Sequence, residues 1–151
     1  MRIRFRAVTL ALAGLVLGCD STNAPPPQLV VGPHHGTTIR LPEDKGFVEL
    51  TNEPEVTDRR ASAVTSIVAY YLQPDCKSAM EPVPTDVNFV IEEGRKGTQT
   101  IPLSAEPKSD DSAGASRFAS KPGPYQLSGL RGKLNAKVGG QEISTTFAGG
   151  R

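Results

Sequence analysis

Turn residues divide the second part of this chain into short apolar runs. From His34 onwards these runs alternate with segments that contain proline or glycine, and the whole chain has 13 prolines and 15 glycines. This pattern favours short strands over long helices, because both residues interrupt helices and set tight turns. Tryptophan is absent and aromatic residues make up 5% of the chain, so we expect a small, mostly aliphatic core.

Several of these runs have the composition of β-strands. Residues 65–72 are β-branched or aromatic on both faces, which predicts a central strand covered on two sides. Residues 37–41 and 47–51 predict a first hairpin, since Gly46 between them can close a turn. Further strands are predicted at 86–92, 98–104 and 117–119. Loops are predicted at 52–63, with one helical turn at 58–62, at 73–85 and at 107–115.

The C-terminal segment specifies its own strand pairing. A two-residue turn at Gly139-Gly140 places Val138 opposite Gln141, and the same register places Lys137 opposite Glu142. The apolar side chains of both strands then share one face. A shift of one residue would turn that whole face towards solvent, so the pattern favours a single register.

Seven or more short strands with turns between them predict an all-β fold. We expect an antiparallel two-sheet β-sandwich of immunoglobulin-like size, with a small barrel as the alternative. Removal of residues 1–18 from the 151-residue chain leaves 133 residues, the size of one domain. The predicted organisation is a signal peptide at 1–18, a flexible proline-rich tether at 19–33 and a β-sandwich domain at 34–151.

The N-terminal segment has the charge and hydrophobicity of an export signal. Arg2, Arg4 and Arg6 precede an apolar run that ends in Val16-Leu17-Gly18-Cys19. As a helix this run would span only about 18 Å, which is short of the roughly 30 Å hydrocarbon core of a bilayer. The order of residues resembles the signal peptide and lipobox of bacterial lipoproteins. That resemblance implies cleavage before Cys19 and acylation (palmitate or a related chain) of that cysteine.

The expected location is therefore the cell envelope, with a lipid anchor in a membrane that faces the periplasm. Whether that membrane is the inner or the outer one stays open. Residues 20–33 are polar and then proline-rich, and would span about 20–40 Å as a tether.

The charge balance excludes one class of partner. Without Arg2, Arg4 and Arg6, the 17 basic residues fall to 14 against 16 acidic ones, a formal net charge of −2. Nucleic-acid binding requires clustered lysine and arginine to neutralise phosphates. We expect no nucleic-acid partner.

Three segments resemble a known group of proteins: His34-His35-Gly36, residues 46–49, and residues 111–118. Together they are similar to small β-sandwich lipoproteins of unassigned function in planctomycete-type bacteria. They are also similar to a related module found beside periplasmic adaptor proteins of heavy-metal efflux systems. The resemblance implies a β-sandwich fold and an envelope location.

His34 and His35 are the candidate metal ligands, because imidazole commonly binds zinc and copper. A zinc site requires three or four ligands, which here would have to include carboxylates such as Glu43, Asp44 or Asp58. The alternative is a polar turn in which one ring caps a backbone group. No cofactor is expected unless copper or zinc binds at this pair.

Cys76 is the candidate reactive thiol. It lies in the turn-like sequence Pro74-Asp75-Cys76-Lys77, at a position where glycine would be expected. We expect an exposed turn residue with no further role, and the alternative is a reactive thiol whose pKa the neighbouring Lys77 lowers. The acidic pairs at 92–93 and 110–111 lack the spacing of a calcium loop, so they are expected to be solvated.

Motifs of nucleophilic, metalloprotease or phosphate-binding chemistry are absent from the sequence, so we expect no enzyme activity. The favoured function is a lipid-anchored, non-catalytic interaction module that binds an envelope protein through its loops or a sheet edge. The alternative is a periplasmic domain that handles copper or zinc through His34 and His35.

Overall fold

The computed structural model describes residues 31–54, 64–92 and 97–149. These residues form eight β-strands and two short 3-10 turns, at Pro42–Asp44 and Gly114–Ser116. The strands are β1 (Thr37–Arg40), β2 (Phe47–Pro54), β3 (Thr65–Leu72), β4 (Thr85–Glu92), β5 (Thr98–Ala105), β6 (Arg117–Ser120), β7 (Arg131–Val138) and β8 (Gln141–Ala148).

The eight strands form one antiparallel sheet in the order β1-β2-β3-β6-β5-β4-β7-β8. Its two edge strands approach each other, with the Thr145 hydroxyl 3.5 Å from the carbonyl oxygen of Arg40, so the sheet is nearly closed into a barrel. The prediction of an all-β antiparallel fold is confirmed. The division into two packed sheets is not confirmed, and the single sheet is closer to the alternative of a small barrel.

The central strand β3 is buried on both faces, as predicted. Ile67, Ala69 and Tyr71 point into the main core inside the curved sheet. The alternate residues of β3 belong to a second apolar cluster on the outer face, under the loops that cover that face. Its members are Val68, Tyr70, Leu72, Cys76, Ala113 and Ala119, with Phe47 packed against them. The side chains on the outer face of β3 are therefore also shielded from solvent.

The C-terminal hairpin has the predicted register. Val138 pairs with Gln141 beside the turn, and Gly132 pairs with Phe147 near the far end. Gly139 and Gly140 both have positive φ, at 58° and 82°, as a two-residue primed turn requires. The inward side chains Leu134 and Ile143 are buried, because alternation directs them into the main core.

The first hairpin is also confirmed, with Arg40 paired to Phe47 across the turn. The prediction that the loop begins at Asn52 is wrong, because β2 continues to Pro54 and pairs with β3 along its whole length. Asn52 accepts a hydrogen bond from the backbone N–H of Leu127 at 2.9 Å and donates to the Tyr125 carbonyl at 3.2 Å. These tertiary contacts compensate for the low strand propensity of asparagine.

Several predictions fall on parts of the chain outside the described residues. They are the signal peptide, Cys19, most of the tether, the helical turn at 58–62 and the carboxylates Asp58 and Glu93. Among the residues that are described, no helix has the length and hydrophobicity that crossing a bilayer requires.

Candidate functional site

A buried carboxylate lies at the centre of the candidate site. Glu49 alternates with Val48 and Leu50 on β2, so its side chain points to the outer face, yet it is completely buried. Residues 31–36, which we call the strap, cross this face before β1 begins. The Glu49 carboxylate accepts the backbone N–H of Gly36 at 2.7 Å and that of His34 at 3.1 Å. Glu49 thus holds the strap against the sheet.

The ring of His34 joins Glu49 to a second carboxylate. Its Nδ1 atom is 3.0 Å from Glu49 Oε2, and its Nε2 atom is 2.6 Å from Asp111 Oδ2. The imidazole also stacks on the ring of Tyr70, with centroids 3.6 Å apart and planes 10° from parallel. We call His34, Glu49 and Asp111 the latch. It connects the strap, β2 and the loop that follows β5.

The two contacts of the His34 ring determine how many protons the three latch side chains must share. An ionised carboxylate only accepts hydrogen bonds, and a neutral imidazole has a single N–H to donate. Both contacts are satisfied together when the ring carries two protons, or when one carboxyl group is protonated. Such charge-assisted hydrogen bonds are stronger than neutral ones.

Asp111 is held in its ionised form by this geometry. Partial burial would raise its pKa, but hydrogen bonds from the backbone N–H of Ala113 and from His34 outweigh burial and lower the pKa below the ordinary aspartate value. The bond from Ala113 is 2.9 Å long and closes a tight turn at the end of the loop. Asp111 therefore stabilises the turn of this loop and also positions the Nε2 atom of His34.

Two strap glycines allow the backbone to approach Glu49. A Cβ atom at Gly32 would overlap the Glu49 carboxylate, and one at Gly36 would overlap the carbonyl oxygen of Leu50. Gly32, which the sequence analysis assigned to the tether, is buried and donates its N–H to the Thr38 hydroxyl at 3.2 Å. A larger residue at either glycine would push the strap off the sheet.

A second charged cluster lies beside the latch and shares Tyr70 with it. The buried Arg117 guanidinium donates to Glu53 and to Glu106, each at 2.7 Å. The Tyr70 hydroxyl lies 3.4 Å from Glu53 Oε1. Although burial opposes the change, Arg117 and the nearby Lys108 lower the pKa of Glu53. This cluster joins β2, β6 and the start of the loop after β5.

Cys76 is buried, so the prediction of an exposed thiol is wrong. Its side chain packs in the outer apolar cluster and only 7% of the residue is accessible. Burial raises the pKa of the thiol, and the carboxylates of Glu49 and Asp75 raise it further. The reactive-thiol alternative required a lowered pKa beside Lys77, and the raised pKa does not support it. The turn prediction holds, because Cys76 has φ of 58°, a conformation that favours glycine.

The candidate histidines do not share one site. His34 belongs to the latch, whereas the adjacent His35 is exposed and has φ of 58°. Glu43 and Asp44 lie in the exposed turn after β1, where they form ion pairs with Lys45 and Arg40. Within residues 31–54, 64–92 and 97–149, no group of three or more His, Cys, Asp or Glu side chains has the arrangement of a metal site.

Sequence reasoning did not identify Glu49, Tyr70 or Asp111 as site residues. Asp111 was expected to be solvated, but its side chain is only 22% exposed because it meets His34, which lies 77 positions earlier. One signal was present in the sequence. Glu49 interrupts the apolar residues of β2, and the neighbouring strand β3 is apolar on both faces. Because the outer face of β3 has to be covered, the Glu49 side chain on the same face is expected to be covered as well.

A polar groove of about 410 Å3 lies on the outer face of β4, β7 and β8. Its amide and hydroxyl side chains form a ladder, in which Asn135 donates to Asn88 at 3.1 Å and accepts from Ser144 at 2.8 Å. Beside the ladder, Lys137 forms an ion pair of 2.8 Å with Asp86. The groove thus presents fixed polar groups of mixed charge.

Three segments that are separate in the sequence, at 34–36, 46–49 and 111–118, converge at the latch. His34 and Gly36, Glu49, and Asp111 come from those three segments, and they contact one another directly. No protein-family model, curated protein or solved structure matches the chain.

Proposed function

We propose that this protein is a lipid-anchored, non-catalytic interaction module of the cell envelope. The observation that carries the proposal is the N-terminal sequence, in which three arginines and an apolar run precede Val16-Leu17-Gly18-Cys19 ahead of a small all-β domain. An acyl anchor gains about 0.8 kcal/mol per buried CH2 group, so several chains on Cys19 would hold the protein at a membrane. The likeness to small planctomycete-type lipoproteins supports the same proposal.

The finer fold proposal follows from that likeness. In a β-sandwich lipoprotein the same eight strands would form two packed layers, with β1, β2, β3 and β6 in one layer and β4, β7 and β8 in the other. Strand β5 pairs with both β6 and β4, so it would lie where one layer passes into the other.

The polar groove is the surface that we propose for the partner. In a nearly closed sheet of eight strands, β7 lies halfway around from β3 in the strand order. The strap lies on the outer face of β2 and β3, and its N-terminal end adjoins the proposed tether. The groove is therefore on the side of the domain opposite the strap. A partner in the envelope would reach the groove without displacing the tether. Mixed charges at Lys137, Asp86 and Glu142 suit a polar protein surface.

The anchor is tested by the variant Cys19→Ala expressed in a host that processes lipoproteins. We expect the wild-type protein to partition into detergent and to carry diacylglycerol on Cys19, as seen by mass spectrometry. The variant should stay uncleaved or appear in the soluble fraction. A variant that is processed normally and remains bound to the membrane would show that the lipoprotein proposal is wrong.

The partner surface is tested by crosslinking the anchored protein in its native membrane. We expect a specific crosslinked protein to be lost in Lys137→Glu, because charge reversal at the groove opposes the partner. Lys133→Glu is the matched control, since Lys133 is an exposed lysine of the same strand β7 and does not line the groove. Equal loss in both variants, or in neither, would place the contact elsewhere.

A further inference from the structure

The strap covers the Glu49 carboxylate and borders a groove that contains a thiol. Val31, Gly32 and Pro33 form one wall of a groove of about 520 Å3. The other wall is the turn at Asp75, Cys76 and Lys77, together with Ser112 from the loop that carries Asp111. Cys76 therefore faces the strap across this groove, near the Glu49 carboxylate that holds the strap in place.

The strap is attached mainly by polar contacts. Its first residue, Val31, is 68% exposed, so it contributes little apolar anchoring. The described strap precedes β1 and takes no part in the strand pairings of the sheet. Its hydrogen bonds to the domain are those of Gly32 with Thr38 and of His34 and Gly36 with the latch carboxylates.

We infer that the strap is a movable cover over Cys76, and that the His34–Glu49–Asp111 latch holds this cover closed. Segments with few buried apolar contacts open at a lower free energy than the strands beneath them. When the latch breaks, residues 31–36 leave the outer face of β2 and β3. The thiol then becomes accessible while the sheet remains folded. This inference concerns the folded domain and does not depend on the proposed anchor or partner.

The groups that face the latch come from several elements, and Lys108 also acts on Asp111. His34 faces Glu49 on β2 and Asp111 on the following loop, and its ring lies on Tyr70 of β3. Glu49 in turn acts on the thiol of Cys76, whose pKa is also raised by burial. Loss of the Glu49 carboxylate therefore weakens the closed strap and also changes the environment of the thiol.

The experiment measures alkylation of Cys76 by iodoacetamide in the full chain, with the modified peptide identified by mass spectrometry. The latch is broken in three ways. Glu49→Gln removes the central charge, Asp111→Asn removes the outer charge, and Gly32→Ala keeps all three latch side chains but adds a Cβ where the Glu49 carboxylate lies. We expect each variant to react at least about tenfold faster than the wild type.

The control is His35→Asn, which removes the neighbouring imidazole and retains a residue that tolerates positive φ. Its alkylation rate should equal that of the wild type. Cys76→Ser should show no modified peptide at this position. Circular dichroism identifies any variant that has lost its sheet, and the more conservative Asp111→Asn and Gly32→Ala then decide the result.

Low concentrations of urea separate strap opening from unfolding of the whole domain. Local opening exposes little surface, so the rate in folded Asp111→Asn and Gly32→Ala should hardly change with urea. The inference is wrong if both variants stay folded and react no faster than the wild type. It is equally wrong if their rates rise steeply with urea, because Cys76 would then be reached only by global unfolding.

Discussion

At the scale of single residues, the protein depends on one buried carboxylate. Glu49 is completely buried and contacts two backbone N–H groups and the ring of His34. A buried charge is tolerated only when it is paired and hydrogen-bonded, and removing one partner of such a pair typically costs about 3–5 kcal/mol. The latch therefore contributes to the stability of the domain and also holds the strap closed.

The latch also bears on metal binding by His34 and His35. Both ring nitrogens of His34 contact carboxylates, so a metal ion would have to displace one of them. We expect zinc or copper(II) to change the thermal midpoint of the domain by less than about 2 °C. A site filled at a hundred times its dissociation constant would add about 2.7 kcal/mol, which corresponds to roughly ten degrees for a domain of this size.

Differential scanning calorimetry with and without the metal measures this shift. The controls are His34→Ala with His35→Ala, and Cys76→Ser. A shift of about ten degrees that disappears in the histidine variant and persists in the cysteine variant would establish the metal-handling alternative.

At the scale of the strand and its turn, the first hairpin depends on Gly46. This residue has φ of 127°, and an added Cβ would overlap the carbonyl oxygen of Leu72 on the neighbouring strand. Gly46 thus satisfies two demands, a backbone conformation that other residues avoid and a close approach of two strands.

The substitution Gly46→Ala should destabilise the domain by more than about 3 kcal/mol, as the sum of backbone strain and overpacking. Gly129→Ala is the matched control, because Gly129 has φ of 92° and no atom within 4 Å of an added Cβ. It should cost only the strain, about 1–2 kcal/mol. Urea denaturation gives both values, and equal losses would show that the contact with Leu72 is unimportant.

At the scale of the whole molecule, ionised carboxylates connect segments that lie far apart in the chain. Asp111 joins the loop after β5 to the strap, and Glu53 joins β2 to Arg117 on β6. Folding lowers the pKa of both groups, through hydrogen bonds and charges that outweigh burial. Each therefore stabilises the folded state when it is ionised, and this contribution depends on pH.

Because the folded pKa of each group lies below its unfolded value, the stabilisation is fully present above the ordinary carboxyl range near pH 4. It is lost as the pH falls through the folded pKa. We expect the free energy of unfolding, measured with urea from pH 7 to pH 3, to decrease below about pH 4.5. Asp111→Asn and Glu53→Gln should each make that decrease shallower. A decrease as steep as in the wild type would contradict the role of that carboxylate.

Local sequence patterns were enough to predict most of the strands and turns. The central strand, both hairpins and the register at Gly139-Gly140 follow from side-chain alternation and from residues that accept positive φ, and both are local properties. Cys76 was likewise recognised as a turn residue at a position that favours glycine. Its burial was not foreseen, because that depends on residues that cover the turn from elsewhere in the chain.

The order of the strands, the near closure of the sheet and the contacts on its outer face could not be predicted from local sequence. His34 meets Asp111 across 77 positions and Glu49 across 15. Neither contact leaves a periodic signal, because each depends on how separate strands and loops come together in space. His34, which the sequence suggested as a metal ligand, therefore contacts two carboxylates in the folded protein. Asp111, which was expected to be solvated, holds His34 in place.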